Sequence, residues 1–150
     1  MAKYRIYEHK VKEAGYRSLI SPRMMDKMQE QIMDIIVMQK KDRDKDYSAQ
    51  KLANEIGTSN YTISAVVNTR FHMSYSLFVN KHRIDEAMCL LVDKRYQDLN
   101  VTEIGDMVGF ANPQSFYTSF FRIKGITPRQ YRLDNLQKHP AMVARRKARV

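Results

Sequence analysis

Five side chains in residues 112–124 combine hydrogen-bonding and aromatic chemistry at helical spacing. They are Gln114, Tyr117, Thr118, Phe121 and Arg122. A helix that buries the apolar stripe of this segment turns all five outward. An amide can bond the edge of adenine in a bidentate way, and apolar groups can contact the methyl group of thymine. The set therefore favours contact with DNA bases, although exposed aromatics also occur on ordinary protein surfaces.

Residues 59–69 carry a related set of shorter side chains. Ile63, Val66 and Val67 recur at helical spacing, so we expect them to be buried. Short side chains on the opposite face suit positioning of the protein on DNA better than readout of sequence. None of the residues left outward is charged: Asn60, Tyr61, Ser64, Ala65 and Asn68.

Both segments belong to a duplicated pattern of helix, turn and helix. The apolar and small positions of residues 48–78 recur 52 residues later up to the paired Gly57 and Gly109, and 53 residues later beyond them. A helix, a short turn with glycine and a second helix form the helix-turn-helix unit, whose second helix enters the major groove in DNA-binding proteins. One copy would be weak evidence, but two copies predict a duplicated module.

Residues that begin helices are found at matching places in the two copies. Ser48 and Ser59 are predicted N-caps in the first copy, as are Asn100 and Asn112 in the second. Asn100 has Glu103 three residues later, which is the pattern of a capping box. The paired glycines lie where each first helix must end and the chain must reverse.

The segment between the copies, residues 74–93, predicts one connecting helix. About 20 residues span ~30 Å, close to the ~34 Å that separate successive major grooves on one face of DNA. A single chain could then read two adjacent half-sites. We expect Cys89 to be a small packed side chain, since its neighbours are apolar. The predicted buried side holds Leu77, Phe78, Ile84, Ala87, Met88 and Leu91.

A further helix is predicted before the first copy. Ser21 and Pro22 form a cap and a first-turn proline, and an apolar stripe continues to about Lys41. We expect this stripe to pack on the first copy, although a methionine-rich stripe can also bind a partner helix. The mixed-charge residues 40–46 predict a solvated loop, and residues 1–20 have no assigned structure.

Catalytic and metal-binding patterns are not found in the sequence. His9, His72, His82 and His139 are scattered, and neither paired-cysteine spacing nor a glycine-rich phosphate loop occurs. We therefore expect no enzyme activity, no catalytic residues, no metal and no cofactor.

The residues above resemble the DNA-binding domain of the AraC/XylS family of bacterial transcription regulators over residues 48–132. The stretches that carry the resemblance are residues 80–91, 104–110, 115–120 and 125–132. It implies two helix-turn-helix subdomains joined by a linker helix, with bases read by the second helix of each. It also implies an upstream sensor, because residues 16–41 look like members in which this domain ends a longer protein. The base-facing positions that it implies are Tyr61, Ser64, Ala65, Pro113, Gln114, Tyr117 and Thr118.

Three positions depart from the family's usual pattern. His72 stands where the family often has glycine, whereas the counterpart Gly125 is kept. Thr118 and Phe121 stand where the family commonly has an arginine and a lysine. Two groove-facing positive charges that are common in the family are therefore missing from the second copy.

Composition and charge suit a small intracellular helical protein. The chain has 150 residues, 43% hydrophobic content and a net charge of +10. Its start lacks the apolar segment of a signal peptide and no apolar run is long enough for a membrane span, so we expect neither. Residues 48–135 carry 10 basic and 8 acidic groups, whereas residues 136–150 carry 5 basic groups and no acidic one. Charge alone would not have identified a nucleic-acid partner. The basic tail can add non-specific phosphate attraction, and a solvated end is an equal alternative.

We therefore predict an all-α, cytoplasmic, sequence-specific regulator that binds double-stranded DNA. RNA polymerase and an upstream sensor domain outside this chain are further expected partners. The alternative is a helical protein-interaction module without DNA readout. The predicted organisation is a lead-in (1–20), a first helix and loop that pack on the first subdomain (21–46), the first helix-turn-helix (47–73), the linker helix (74–98), the second helix-turn-helix (99–135) and the tail (136–150).

Overall fold

The structure is a computed structural model that describes residues 20–138, with side chains to residue 135. The predicted lead-in, apart from its last residue, and residues 139–150 of the predicted tail lie outside this range. Within it the chain is helical and contains no strand, so the predicted all-α class is confirmed. Its α-helices are α1 (Pro22–Met33), α2 (Ala49–Ile56), α3 (Asn60–Phe71), α4 (Tyr75–Val92), α5 (Val101–Val108), α6 (Pro113–Lys124) and α7 (Pro128–Lys138).

The predicted N-cap residues cap the first turns of their helices. Ser21, Ser48 and Ser59 each accept a hydrogen bond on Oγ from the main-chain N–H three residues later, at 3.1–3.2 Å. Asn100 and Asn112 do the same through Oδ1, both at 2.8 Å. These bonds satisfy N–H groups that a helix start leaves without an internal partner. The beginnings of five helices are thus fixed by local sequence.

The predicted capping box of α5 differs in one detail. Asn100 Oδ1 accepts from the Glu103 N–H, as expected, but the Glu103 carboxylate accepts from the side-chain amide of Asn100 at 3.1 Å. In the usual capping box, this carboxylate accepts the second bond from the main-chain N–H of the cap residue. The carboxylate still lies in the first turn, where it is favourable to the helix dipole.

The upstream helix ends earlier than its apolar stripe suggested. α1 continues into a wider π-helical turn (Asp34–Met38), in which the Gln39 N–H donates to the Asp34 carbonyl at 2.8 Å. The helical segment therefore stops three residues before Lys41. Met25, Ile32 and Ile36 are buried along it, which accounts for the predicted stripe.

The described chain divides into two compact units. The first comprises residues 20–41 and 46–79, with α1, α2, α3 and the start of α4. Its core contains the stripe of α1 and the inner faces of α2 and α3, and the Phe71 and Phe78 rings stack at 4.7 Å. Burial of each such aliphatic or aromatic side chain contributes roughly 1.5–3 kcal/mol. The buried members are Met25, Ile32, Ile36, Tyr47, Leu52, Ala53, Ile63, Val66, Val67, Phe78 and Val79.

The second unit comprises residues 42–45 and 80–138, with most of α4 and all of α5, α6 and α7. Three aromatic rings pack together in its core: Phe116 meets Phe110 at 5.2 Å and Phe120 at 5.9 Å between ring centroids. Such tilted and edge-on pairs add to the effect of burial. The buried members are Ile84, Ala87, Leu90, Leu91, Ile104, Val108, Phe110, Phe116 and Phe120.

Two expectations for α4 are wrong. Leu77 is 40% exposed, and Cys89 is also exposed. The stripe extrapolated back from Leu91 reaches Leu77, but the start of α4 instead buries Phe78 and Val79 in the first core. A single stripe fails because this helix contributes to two cores.

The charged segment at residues 40–46 also differs from the predicted solvated loop. It contains a short 3₁₀ turn (Lys41–Arg43), and residues 42–45 belong to the second unit, not to the first as expected. Asp42 is 3% exposed. Arg83 donates to the main-chain carbonyls of Asp42 at 2.6 Å and Asp44 at 3.1 Å, and Arg43 pairs with Glu86 at 2.6 Å. Hydrogen bonds to its main-chain carbonyls and an ion pair therefore fix this segment in the second unit, although its charged composition predicted full exposure to solvent.

Candidate nucleic-acid interface

The outward face of α6 is the first candidate surface. Phe116 and Phe120 are fully buried, which turns the opposite side of the helix to solvent. Phe121 is 58% exposed and Tyr117 37% exposed. The remaining predicted residues of this helix, Pro113, Gln114, Thr118 and Arg122, are exposed as well. The predicted exposure of this face is confirmed, while its contact with DNA stays a prediction.

α5 and α7 fix the position of α6 within the second unit. Gly105 of α5 lies against the ring of Phe116, and Phe120 meets Tyr131 of α7 at 5.7 Å between ring centroids. Arg132 of α7 donates to three main-chain carbonyls, at 2.6–3.0 Å. Three bonds from one guanidinium satisfy carbonyls around the end of α4 and the loop that follows. Those acceptors are Leu91, Tyr96 and Leu99.

Lys45 is a neighbour of this face that the sequence did not reveal. A surface depression is lined by Lys45 together with Gln114, Thr118 and other residues of the second unit. Lys45 also pairs with the Asp106 carboxylate. Since Lys45 lies more than 60 residues before α6 in the chain, no local pattern could have indicated it.

Asp42 gives the same part of the second unit an unusual electrostatic environment. Burial, followed by the neighbouring Glu86 carboxylate, raises the pKa of the Asp42 carboxyl to about 6, against the opposing effects of Arg83 and Arg43. Within the part of the chain that the structure describes, Asp42 Oδ1 accepts no hydrogen bond. An ionised carboxylate is costly in such a place.

The outward face of α3 is the corresponding surface of the first unit. Tyr61 is 60% exposed, and the neighbouring polar side chains are also exposed. Ala65, in contrast, is half-buried, so its small side chain offers little contact area. The exposed polar members are Asn60, Ser64 and Asn68.

The basic residue of α3 is directed into its own unit. Arg70 pairs with Asp26 of α1 at 2.8 Å and donates to the Pro22 carbonyl at 3.1 Å. These bonds tie the end of α3 to the start of α1. The outward face of α3 therefore carries no charged side chain.

Among residues 20–138 no group of three or more His, Cys, Asp or Glu is placed to hold a metal ion. In the same range no helix has the length and apolar character needed to cross a bilayer.

Two helix-turn-helix units, each with a solvent-facing second helix, define the class of this protein. A family model described as a helix-turn-helix domain matches residues 52–134. The chain belongs to the AraC-type helix-turn-helix family, a family of DNA-binding transcription regulators and not of enzymes.

Relatives and solved structures agree with this assignment. The transcriptional activator AggR of Escherichia coli is 29% identical over 91 residues, which cover 61% of this chain and 33% of AggR. The chain thus spans about a third of the length of that curated relative.

The C-terminal domain of the two-component response regulator yesN from Fusobacterium nucleatum is 27% identical. It aligns with a TM-score of 0.61 over 69% of this chain and 96% of its own. The C-terminal domain of AraT, a response regulator from Geobacillus stearothermophilus, is 24% identical. Its TM-score is 0.61 over 77% of this chain and 87% of its own. The second likeness concerns the fold alone.

Proposed function

We propose that this chain binds double-stranded DNA in a sequence-specific way and regulates transcription, with α3 and α6 each entering a major groove. The observation that carries this proposal is the exposure of polar and aromatic residues on the second helix of both modules, opposite a fully buried apolar stripe. An α-helix fits the major groove, and side chains near its N-terminal end can reach base edges.

Selection of duplexes from random DNA, followed by footprinting, tests the proposal. If both helices enter adjacent grooves, the selected duplex should show two protected clusters about one helical turn apart, ~10 bp. A single compact cluster would mean that only one module reads DNA. Failure to select any duplex would overturn the proposal.

Salt dependence separates DNA binding from the rival, a protein-interaction module. Phosphate contacts release counterions, so log K should fall linearly with log salt, by about 0.9 per phosphate neutralised. A mostly apolar protein interface has no such slope. Measuring affinity between ~50 and ~200 mM salt on selected and scrambled duplexes therefore gives the phosphate and the sequence-specific contributions separately.

The proposed regulator acts in the bacterial cytoplasm, with RNA polymerase as a partner and an upstream sensor domain as its source of signal. The likeness to AggR, a transcriptional activator, supports the first partner. The likeness to yesN, in which the matching part is the C-terminal domain of a two-component response regulator, supports the second. Transcription in vitro from a promoter with the selected site should change when the chain is added; an unchanged transcript level would contradict the role of polymerase.

A further inference from the structure

The faces proposed above to read DNA carry little positive charge: the α3 face carries none, and the α6 face carries Arg122 at its edge. Bidentate recognition of guanine uses Arg or Lys, adenine is recognised by Asn or Gln, and the thymine methyl group by apolar side chains. We infer that this chain prefers duplexes rich in A·T pairs and that Phe121 and Tyr117 contact thymine methyl groups; this inference rests on the proposed function.

The α3 face supports the inference through the position of its arginine. Arg70 is held by Asp26 and the Pro22 carbonyl, in the last turn of the helix. The exposed amides on this helix belong to Asn60 and Asn68. Of the two bases that bidentate contacts distinguish, this face therefore has groups for adenine and none for guanine.

The α6 face supports it through the chemistry of its exposed centre. Phe121 and Tyr117 line a shallow surface depression together with Thr118, Arg122 and Thr127. Phe121 exposes 58% of its surface, and an apolar group that covered the ring would remove this area from water, which is favourable. A thymine methyl group is the apolar group that the major groove offers. Gln114, on the same side of the helix, supplies an amide for adenine.

Three basic side chains near α6 need a role other than guanine readout. Arg122 lines the same depression as Phe121 but lies about 100° around the helix from it, at the edge of the exposed face, and Lys124 lies in the last turn. Lys45 lies beside Gln114 in the depression described above, but it pairs with Asp106. Phosphate contacts suit all three, because such contacts position a protein without reading sequence.

Replacement of thymine by uracil tests the inference, because it removes the C5 methyl group and leaves every hydrogen-bonding group in place. In the duplex selected by the parent chain, each contacted thymine should be replaced in turn. Since one buried CH₂-sized group contributes ~0.8 kcal/mol, each contacted methyl should account for about a fourfold loss of affinity. Two such methyls should give a loss of about tenfold or more.

The variant Phe121→Ala completes the experiment, with the exposed Thr102→Ala of α5 as its matched control. On the thymine duplex Phe121→Ala should lose affinity, and at one thymine, the one that Phe121 contacts, uracil should then have little further effect. Thr102→Ala should behave like the parent. Equal binding of thymine and uracil duplexes by the parent, or selected sites dominated by G·C pairs, would overturn the inference while DNA binding itself stood. Absence of binding to every duplex would overturn the proposed function as well.

Discussion

Gly105 lies so close to Phe116 that a Cβ atom built on the glycine would be 2.7 Å from two atoms of the aromatic ring. In the duplicated pattern Gly105 corresponds to Ala53, and Phe116 corresponds to Ile63, both of which are buried in the first core. The second copy has thus exchanged a methyl group on one helix for a larger ring on the other. Close packing of interiors makes such paired changes necessary.

Gly105→Ala should therefore destabilise the second unit. Overpacking of a filled core costs about 1–3 kcal/mol, which exceeds the gain of about 0.5–1 kcal/mol expected from alanine in a helix. Denaturant unfolding of the parent and the variant measures the difference, with the exposed Thr102→Ala as control.

Adding Phe116→Ile to Gly105→Ala recreates the residue pair of the first copy, so the double variant should lose less stability than the two single losses added together. Strict additivity would show that the two sites do not interact.

Most of the correct predictions depend on patterns within short stretches of the sequence. The caps at Ser48, Ser59, Asn100 and Asn112 depend on side chains three residues from their partners, so the helix starts could be read from short sequence windows. The outward faces of α3 and α6 followed from a regular apolar period. Both kinds of signal are independent of distant parts of the chain.

The predictions that were wrong concern residues whose contacts are distant in the sequence. Nothing near Asp42 in the sequence indicates that Arg83 binds its carbonyl or that the turn at Gly109 lies against it. Likewise Leu77 and Cys89 lie on a helix that serves two cores, and a single periodic pattern cannot show where one core ends. Lys45 was missed for the same reason, since its neighbours Gln114 and Thr118 are contributed by α6.

His72 ends α3 in a left-handed conformation, with φ of 57°. Glycine adopts this conformation without the steric cost that a side chain carries. His72→Gly should therefore stabilise the first unit by up to about 1 kcal/mol, and the reverse change Gly125→His, at φ of 75°, should destabilise the second unit by a similar amount. Among the described residues beyond its immediate neighbours in the chain, none comes within 4 Å of a Cβ built on Gly125, so the second effect would come from the backbone alone. Thermal unfolding of the two variants provides the measurement; a loss of stability in His72→Gly would mean that the imidazole makes compensating contacts.

Asp42 should make stability depend on pH between about 4 and 6. Its carboxyl has a pKa of about 6 in the folded protein and an ordinary value of 3.8, so over this interval the unfolded chain loses its proton while the folded chain keeps it. Stability present at low pH is therefore lost as the pH rises through the folded pKa. The groups facing the carboxyl are Glu86, which raises its pKa, and Arg83 and Arg43, which lower it.

Asp42→Asn removes this titration with little change of shape. The unfolding free energy of Asp42→Asn minus that of the parent should increase by about 1–3 kcal/mol from pH 4 to pH 7. Denaturant unfolding at several pH values checks this, with Asp44→Asn on the exposed part of the same segment as control. Parallel pH profiles for Asp42→Asn and the parent would show that the pKa of the Asp42 carboxyl is the same in the folded and the unfolded chain.

Gln114 and Ser64 should differ in their effect on sequence preference. Gln114 is exposed in the first turn of α6, and its amide is long enough for a bidentate contact with adenine, which is worth ~1–3 kcal/mol of discrimination. Gln114→Ala should therefore relax the preference at one base position while leaving helix content unchanged, because the residue lies opposite the buried Phe116 and Phe120. Ser64→Ala should have a much smaller effect, since the hydroxyl of this short side chain is one weak contact at most. Selection of random duplexes by the parent and by both variants gives the comparison. If the profile changes for Ser64→Ala and not for Gln114→Ala, then α3 and not α6 is the main reader of sequence.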